Sequence, residues 1–246
     1  MTNRLFAKGG AVKPDWIEEH VYATYNGLRW GMTGLSFAFP ISMYLIGKFY
    51  GIDLQDSLSA YYWASGFESS APVRVWFVGG LFAIGVFLYL YKGFSVGENN
   101  ALNLAAIFAI GVAVCPMDWP VSNSWFSAHG TCAVLLFACL GYVAICRSRD
   151  TLPYLQPAEG RSQMDHDKCL RIYRWVYYVC GSVMVILPLT VWALAAGVGR
   201  HYAWIFFVEW ACIVAFALFW GVKSWEMHKS RAIRRALNRT MEPNNL

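Results

Sequence analysis

The run YAWIFFVEWACIVAFALFWGV at positions 202–222 decides the fold. It is apolar except for one acid, Glu209, and is followed by Lys223, Lys229, Arg231, Arg234, Arg235 and Arg239. One helical crossing of a bilayer needs about 20 apolar residues, and a cluster of Lys and Arg at one end marks the cytoplasmic side. The run is therefore expected to cross a membrane and to leave a basic tail, 223–246, inside.

Working outward from it, five more stretches of the same kind are found at 30–47, 75–91, 101–117, 126–146 and 175–199. The two at 75–91 and 101–117 are short and are expected to draw on adjacent residues or to run with little tilt. With 57% hydrophobic and 14% charged residues among 246, and a mean hydropathy of +0.38, the composition lies well outside that of a water-soluble domain. The fold class expected is all-α: a polytopic membrane protein with six transmembrane helices in a single domain.

The orientation follows from charge. The N-terminal segment, the connections after the second and fourth spans, and the tail hold seventeen of the twenty Lys and Arg. Only Lys48, Arg74 and Arg200 fall on the other side, so both termini are placed in the cytoplasm. Trp30, Trp76, Trp119, Trp125, Trp175, Trp204 and Trp225 sit near span ends, where an indole keeps its N–H wet. A bacterial-type plasma (inner) membrane is the expected location, with no cleavable signal peptide predicted.

The formal charge of +5 does not point to nucleic acid, because the basic residues flank apolar spans and do not line a polar face. The partners expected are membrane lipids, with anionic lipid against the basic tail from Lys223 to Arg239. The seven cysteines lack C-x-x-C spacing and read as small core hydrophobes. Ala105, Ala109 and Ala113 form a small-residue stripe that predicts a central third helix, and Pro40 and Pro188 are candidates for kinks that shape a cavity. A five-residue repeat, Phe-Ala-Ile-Gly-Val at 82–86 and 108–112, is too short to define a structural unit.

This topology gathers the chemistry at the outer face. The first outer connection carries Ser57, Ser59, Tyr61 and Tyr62 and ends at Arg74, the third span delivers Asp118, the fourth begins near His129, and the sixth follows His201. Glu209 lies about two turns deeper, where an acid costs several kcal/mol unless protonated or paired. The partner expected first is His129, and Arg74 second.

If these groups converge in an enzyme, Ser59 is a nucleophile or hydroxyl donor, His129 the general base, Asp118 or Glu209 its orienting acid, and Arg74 a clamp for an anionic head group, with Ser57, Tyr61, Tyr62 and His201 around the substrate. A metal on His129, His201, Asp118 and Glu209 is a weaker alternative, since no H-x-x-x-H or E-x-x-H spacing supports it. Retinal would need a mid-span Lys, and haem could draw only on His129 and His201.

The run Ser57-Leu58-Ser59-Ala60-Tyr61-Tyr62, Arg74 with Phe77-Val78-Gly79, Tyr91-Lys92-Gly93, His129, and Glu209 ahead of Phe219 and Ser224-Trp225 resembles a group of uncharacterised bacterial six-span membrane proteins. This chain has Trp63 where that group often has His, and Cys115-Pro116-Met117 where it often has Phe-Pro-Thr. The resemblance implies a fold and a membrane location, with no assigned activity.

The function expected is that of a multi-pass protein whose outward-facing polar pocket binds or modifies a lipid or apolar metabolite, hydrolysis included. The alternative is a non-catalytic structural or accessory subunit. A transporter ranks third, because the inner halves of the spans read as nearly bare of polar groups apart from Asn103, Ser182 and Thr190.

Overall fold

The computed structural model describes residues 14–64, 71–118, 127–155, 162–194 and 204–230. No strand occurs among them. Six helices are present: α1 (Pro14–Phe49), α2 (Ala71–Leu90), α3 (Val96–Val114), α4 (Ala128–Tyr142), α5 (Gln163–Leu194) and α6 (Trp204–Ser230). A short 3-10 helix, Ser59–Tyr62, lies between α1 and α2, and a π turn and a 3-10 segment extend α4 to Tyr154. Each helix packs on its neighbours in sequence, and α1 packs on α6, so the six form a closed ring.

Five helices, α2, α3, α5, α6 and α4 taken with its extension to Tyr154, are long and apolar enough to cross a bilayer, which makes this a membrane-embedded protein. Large apolar side chains cover the perimeter: Val75, Tyr89, Ile107, Ile186 and Phe207 are all more than half exposed. Such a surface is unfavourable in water and suited to lipid. The first helix is more polar, carrying Thr33, Ser36 and Ser42 along its middle. It nonetheless runs antiparallel to α6 over most of that helix's length. Tyr22 Oη lies 2.8 Å from His228 Nδ1 near one end, Arg29 meets Lys223 one to two turns on, and near the other end Gly47 abuts Tyr61, whose ring faces Phe206.

The helices outrun the apolar stretches that announce them. The fifth starts at Gln163, not 175, and the sixth continues to Ser230, beyond 222. Hydropathy marks the length in lipid, whereas a helix persists wherever its backbone stays hydrogen-bonded. The third starts at Val96, five residues before the predicted limit, because Ser95 and Glu98 form a reciprocal cap. Ser95 Oγ accepts from Glu98 N–H at 3.3 Å, and Glu98 Oε2 accepts from Phe94 N–H at 2.8 Å.

Small residues set the helix spacing. Ala105, Ala109 and Ala113 are buried as expected, although α3 is one member of the ring, held between α2 and α4, and not its axis. The tightest crossing joins α4 to α5. A β-carbon added to Gly141 would stand 3.0 Å from the Gly181 carbonyl oxygen, and one on Gly181 would stand 3.2 Å from that of Gly141. The two glycines of the Phe-Ala-Ile-Gly-Val repeat do similar work: Gly85 lies against Ala106 and Ile110, Gly111 against Cys132.

Helix α1 ends in a Schellman turn. Ile52 N–H reaches the Gly47 carbonyl at 2.8 Å, Gly51 N–H reaches that of Lys48 at 3.1 Å, and Gly51 takes the left-handed φ of 73°. This turn folds the connection between α1 and α2 back over the bundle, so that the 3-10 helix bearing Ser59 comes to lie against α6.

Candidate functional site

The connection between α1 and α2 is pinned from several sides. Phe206 N–H, in the first turn of α6, donates to the Asp56 carbonyl at 2.9 Å. Ser57 Oγ accepts from Ala60 N–H at 3.0 Å and so caps the 3-10 helix, while Trp63 Nε1–H donates to the Met117 carbonyl at 2.8 Å and ties its far end to the segment after α3. Ser59 is thereby held in the interior, 8% exposed.

Three groups from three elements meet there. His129, 7% exposed in the first turn of α4, has Nε2 at 2.8 Å from Ser59 Oγ and Nδ1 at 2.8 Å from the Cys115 carbonyl oxygen. A carbonyl only accepts, so Nδ1 carries the proton and the lone pair sits on Nε2, facing the serine hydroxyl. Helix α4 begins at this point because Ser127 Oγ accepts from Gly130 N–H at 3.0 Å. Glu209, half-buried in α6, accepts Leu58 N–H on Oε2 at 2.6 Å and stands 3.5 Å from Ser59 Oγ through Oε1.

The proton count assigns these contacts. Ser59 has one hydroxyl proton, and the neutral imidazole at 2.8 Å is the better acceptor by distance. Glu209 is therefore joined chiefly to the backbone, and it meets His129 only through the serine oxygen. The partner predicted for Glu209 was His129 directly, and the polar contacts found are Leu58 and Ser59.

Beside this trio lies a cavity of about 180 Å³ between α4, α5 and α6. Its walls are largely apolar, with Val134, Phe137, Pro188, Val191, Val208 and Cys212 among them, and its polar end is formed by Ser57, Ser59, His129, Glu209, Asp56 and Asp118. Pro188, inside the continuous helix α5, is part of that wall.

Not every predicted residue arrives. Arg74 is absent from the cavity wall: its Nε–H donates to the Tyr62 carbonyl at 2.8 Å, and its guanidinium stacks over Tyr62 and Trp63 at 4.7 and 5.4 Å from their ring centres. It fastens the connection between α1 and α2 to α2 itself, and the polar contacts of Glu209 among the described residues are to Leu58 and Ser59 and not to Arg74. Tyr62 belongs to that stack. Tyr61 packs against Gly47, and burial pushes its phenol up from the ordinary value. His201 lies outside the described residues, as does the tail beyond Ser230 on which the anionic-lipid contact was placed. Among the described residues no three His, Cys, Asp or Glu side chains gather as a metal site.

Sequence reasoning missed a second polar cluster at the opposite end of the bundle. Lys223, buried in α6, donates to Glu226 at 2.9 Å, to the Ser148 carbonyl at 2.6 Å and to Thr151 Oγ1. Glu226 also accepts from Thr151 Oγ1 at 2.9 Å and from Tyr177 Oη at 2.7 Å, and Arg29 Nη2 donates to the Lys223 carbonyl at 2.7 Å. That end of the bundle, which the sequence suggests is nearly bare of polar groups, is therefore far from bare. By sequence, Lys223 and Arg29 are topology signals alone. The Lys-x-x-Glu spacing places both heads on one helix face, but nothing in the sequence shows that this face turns inward.

No family model matches the chain, and comparison with curated proteins and with solved structures gives no match either.

Proposed function

We propose that the chain crosses a bacterial-type plasma membrane six times, with both ends in the cytoplasm, and that its outer cavity binds a single-chain lipid or apolar metabolite and cleaves an ester or amide bond in it. Supporting the sixth crossing are the course of α1 beside α6 and the charge asymmetry of the connections. The likeness of the Ser57–Tyr62 motif to six-span bacterial proteins agrees with it.

One observation carries the hydrolytic reading: Ser59 Oγ lies 2.8 Å from a His129 Nε2 whose tautomer is fixed by the Cys115 carbonyl, at the polar end of an apolar cavity. This is a nucleophile, base and orienter set in which a backbone carbonyl stands in place of the usual carboxylate. Ser59 Oγ attacks the substrate carbonyl carbon and its proton passes to Nε2. The tetrahedral adduct collapses, the leaving group departs with that proton, and Ser59 is left acylated. Water, deprotonated by the same nitrogen, then releases the acid and restores the serine.

At the opposite end of the bundle the ammonium of Lys223 is matched by three protein acceptors. The outer set differs in opening onto a cavity. The non-catalytic alternative draws on Glu209, whose bond to Leu58 N–H fastens the 3-10 helix to α6 and occupies an amide that would otherwise receive an oxyanion.

The test is phosphonylation by a long-chain alkyl fluorophosphonate in neutral detergent. Labelling should map to Ser59 by mass spectrometry and be lost in Ser59→Ala and His129→Ala. An unlabelled Ser59 in folded wild-type protein, or equal labelling in His129→Ala, would overturn the assignment.

A further inference from the structure

The backbone amide beside the nucleophile is already taken. Glu209, in α6, accepts Leu58 N–H on Oε2 at 2.6 Å and stands 3.5 Å from Ser59 Oγ through Oε1. Its two oxygens share one carbon, so this carboxyl bridges the backbone donor and the serine hydroxyl much as the acid released from an acyl-serine would. The same side chain lines the cavity, together with Val208 and Cys212 of its own helix.

We propose that Glu209 is an autoinhibitory latch: its carboxylate holds the Leu58 amide that stabilises the oxyanion during catalysis, and a substrate carbonyl gains that amide only by displacing it. The proposal rests on the reading of Ser59 as nucleophile, and it deepens that reading by naming what restrains it.

When Ser59 Oγ bonds to the substrate carbonyl carbon, the electron pair of the C=O bond moves onto the oxygen. The charge that develops there is stabilised by a backbone N–H already aimed at it. Leu58 N–H belongs to the residue next to the nucleophile, and its acceptor comes from another helix. Ala60 N–H, by contrast, is used within the loop, by Ser57 Oγ at 3.0 Å and the Ser57 carbonyl at 3.2 Å. An amide bonds a charged carboxylate more strongly than a neutral carbonyl, so a substrate does not win Leu58 by its carbonyl alone. Burial of its chain against Val134, Phe137 and Val191 supplies the difference. The latch thus opens to ligands that fill the cavity and stays shut to short esters.

The bond is not needed as a fastening. The same connection is held to α6 by Phe206 N–H on the Asp56 carbonyl at 2.9 Å, to the segment after α3 by Trp63, and to α2 by Arg74. An acid within an apolar helix is costly, and here it makes a contact that the anchoring of the connection does not require.

The test is the rate at which the long-chain alkyl fluorophosphonate labels Ser59 in the purified full chain, with melting temperature as the check of folding. Wild type should label slowly and be indifferent to acetate. Glu209→Ala vacates the amide and should label about 10-fold faster or more, and acetate should return it toward the wild-type rate by refilling the amide. Glu209→Gln keeps the shape and loses the charge, so it should accelerate less, and it guards against an alanine variant that does not fold. An ethyl fluorophosphonate should gain more from either substitution than the long-chain reagent does, since it has no chain burial with which to displace the carboxylate.

Labelling at or below the wild-type rate in whichever of the two variants folds would overturn the latch and leave Ser59 the nucleophile. A Ser59 unlabelled in wild type and in both variants would overturn the nucleophile and the latch together.

Discussion

At the scale of single residues, the two polar clusters should respond differently to mutation. Ser59→Ala and His129→Ala remove one hydroxyl and one ring from a site already open to a cavity. They should cost turnover of the ester or amide substrate, about 10²–10⁴-fold for loss of the base, with a modest change in melting temperature. Lys223→Met and Glu226→Leu each strand a buried opposite charge and should destabilise by about 3–5 kcal/mol, whereas the double substitution should recover much of that loss. A double-mutant cycle followed by thermal unfolding in detergent checks this; additive losses would refute the coupling. The residue types of the cavity site were legible in the sequence because the alternation of spans sends Ser59, His129, Asp118 and Glu209 to one end of the bundle, where all four line one cavity. The pairings were not, since Glu209 binds the backbone N–H of Leu58 and His129 the carbonyl of Cys115, and backbone partners leave no mark in a sequence. Arg74 misled for a related reason: a guanidinium beside aromatic rings has a stacking partner that charge reasoning does not weigh.

Among the elements, glycine placement governs how closely helices approach. Gly141 and Gly181 bring the backbones of α4 and α5 together, with carbonyl oxygens at 3.0 and 3.2 Å from where a β-carbon would sit. Either glycine changed to alanine should cost about 1–3 kcal/mol, because a carbonyl on a packed helix cannot move aside as a side chain can. Gly79→Ala on α2, where nothing stands within 4 Å of the added carbon, is the control and should be neutral or slightly stabilising. Unfolding midpoints of the three variants decide the matter, and equal midpoints would show that the α4–α5 crossing tolerates widening. Hydropathy located all six helices but not their ends. The apolar stretch at 175–199 understates a helix that begins at Gln163, because Asp165, Lys168, Arg171 and Arg174 are polar yet still helical. Thr151 and Glu226 lie in the extra turns beyond the apolar stretches 126–146 and 202–222, where Tyr177, just inside the fifth stretch, meets Glu226, so hydropathy alone does not mark that cluster.

For the whole molecule the deciding quantity is the number of crossings, and it turns on α1. This helix has 36 residues, about 54 Å at 1.5 Å per residue, enough to span a bilayer core and project beyond it. Its polar middle makes it less apolar than the other five, and much of that polarity is hidden: Arg29, Thr33 and Ser36 are all buried in the bundle. A helix whose polar face is covered by its neighbours can cross lipid with a composition that would be costly for a lone span. Single cysteines placed in a cysteine-free background at Glu19, Asp53 and Lys168 test this in intact cells with a membrane-impermeant maleimide. Asp53→Cys should react from outside, whereas Glu19→Cys and Lys168→Cys should react only after lysis, because one crossing separates the first pair and three the second. Reaction of Glu19→Cys in intact cells together with Asp53→Cys would leave α1 lying outside the bilayer. The ring would then be closed by a helix that does not span, and the Arg29–Lys223 contact would have to form on the outer side. That arrangement would put the positive charges of the N-terminal segment opposite to those of the connection between α4 and α5, against the bias that sets membrane orientation, so the six-crossing result is the one expected.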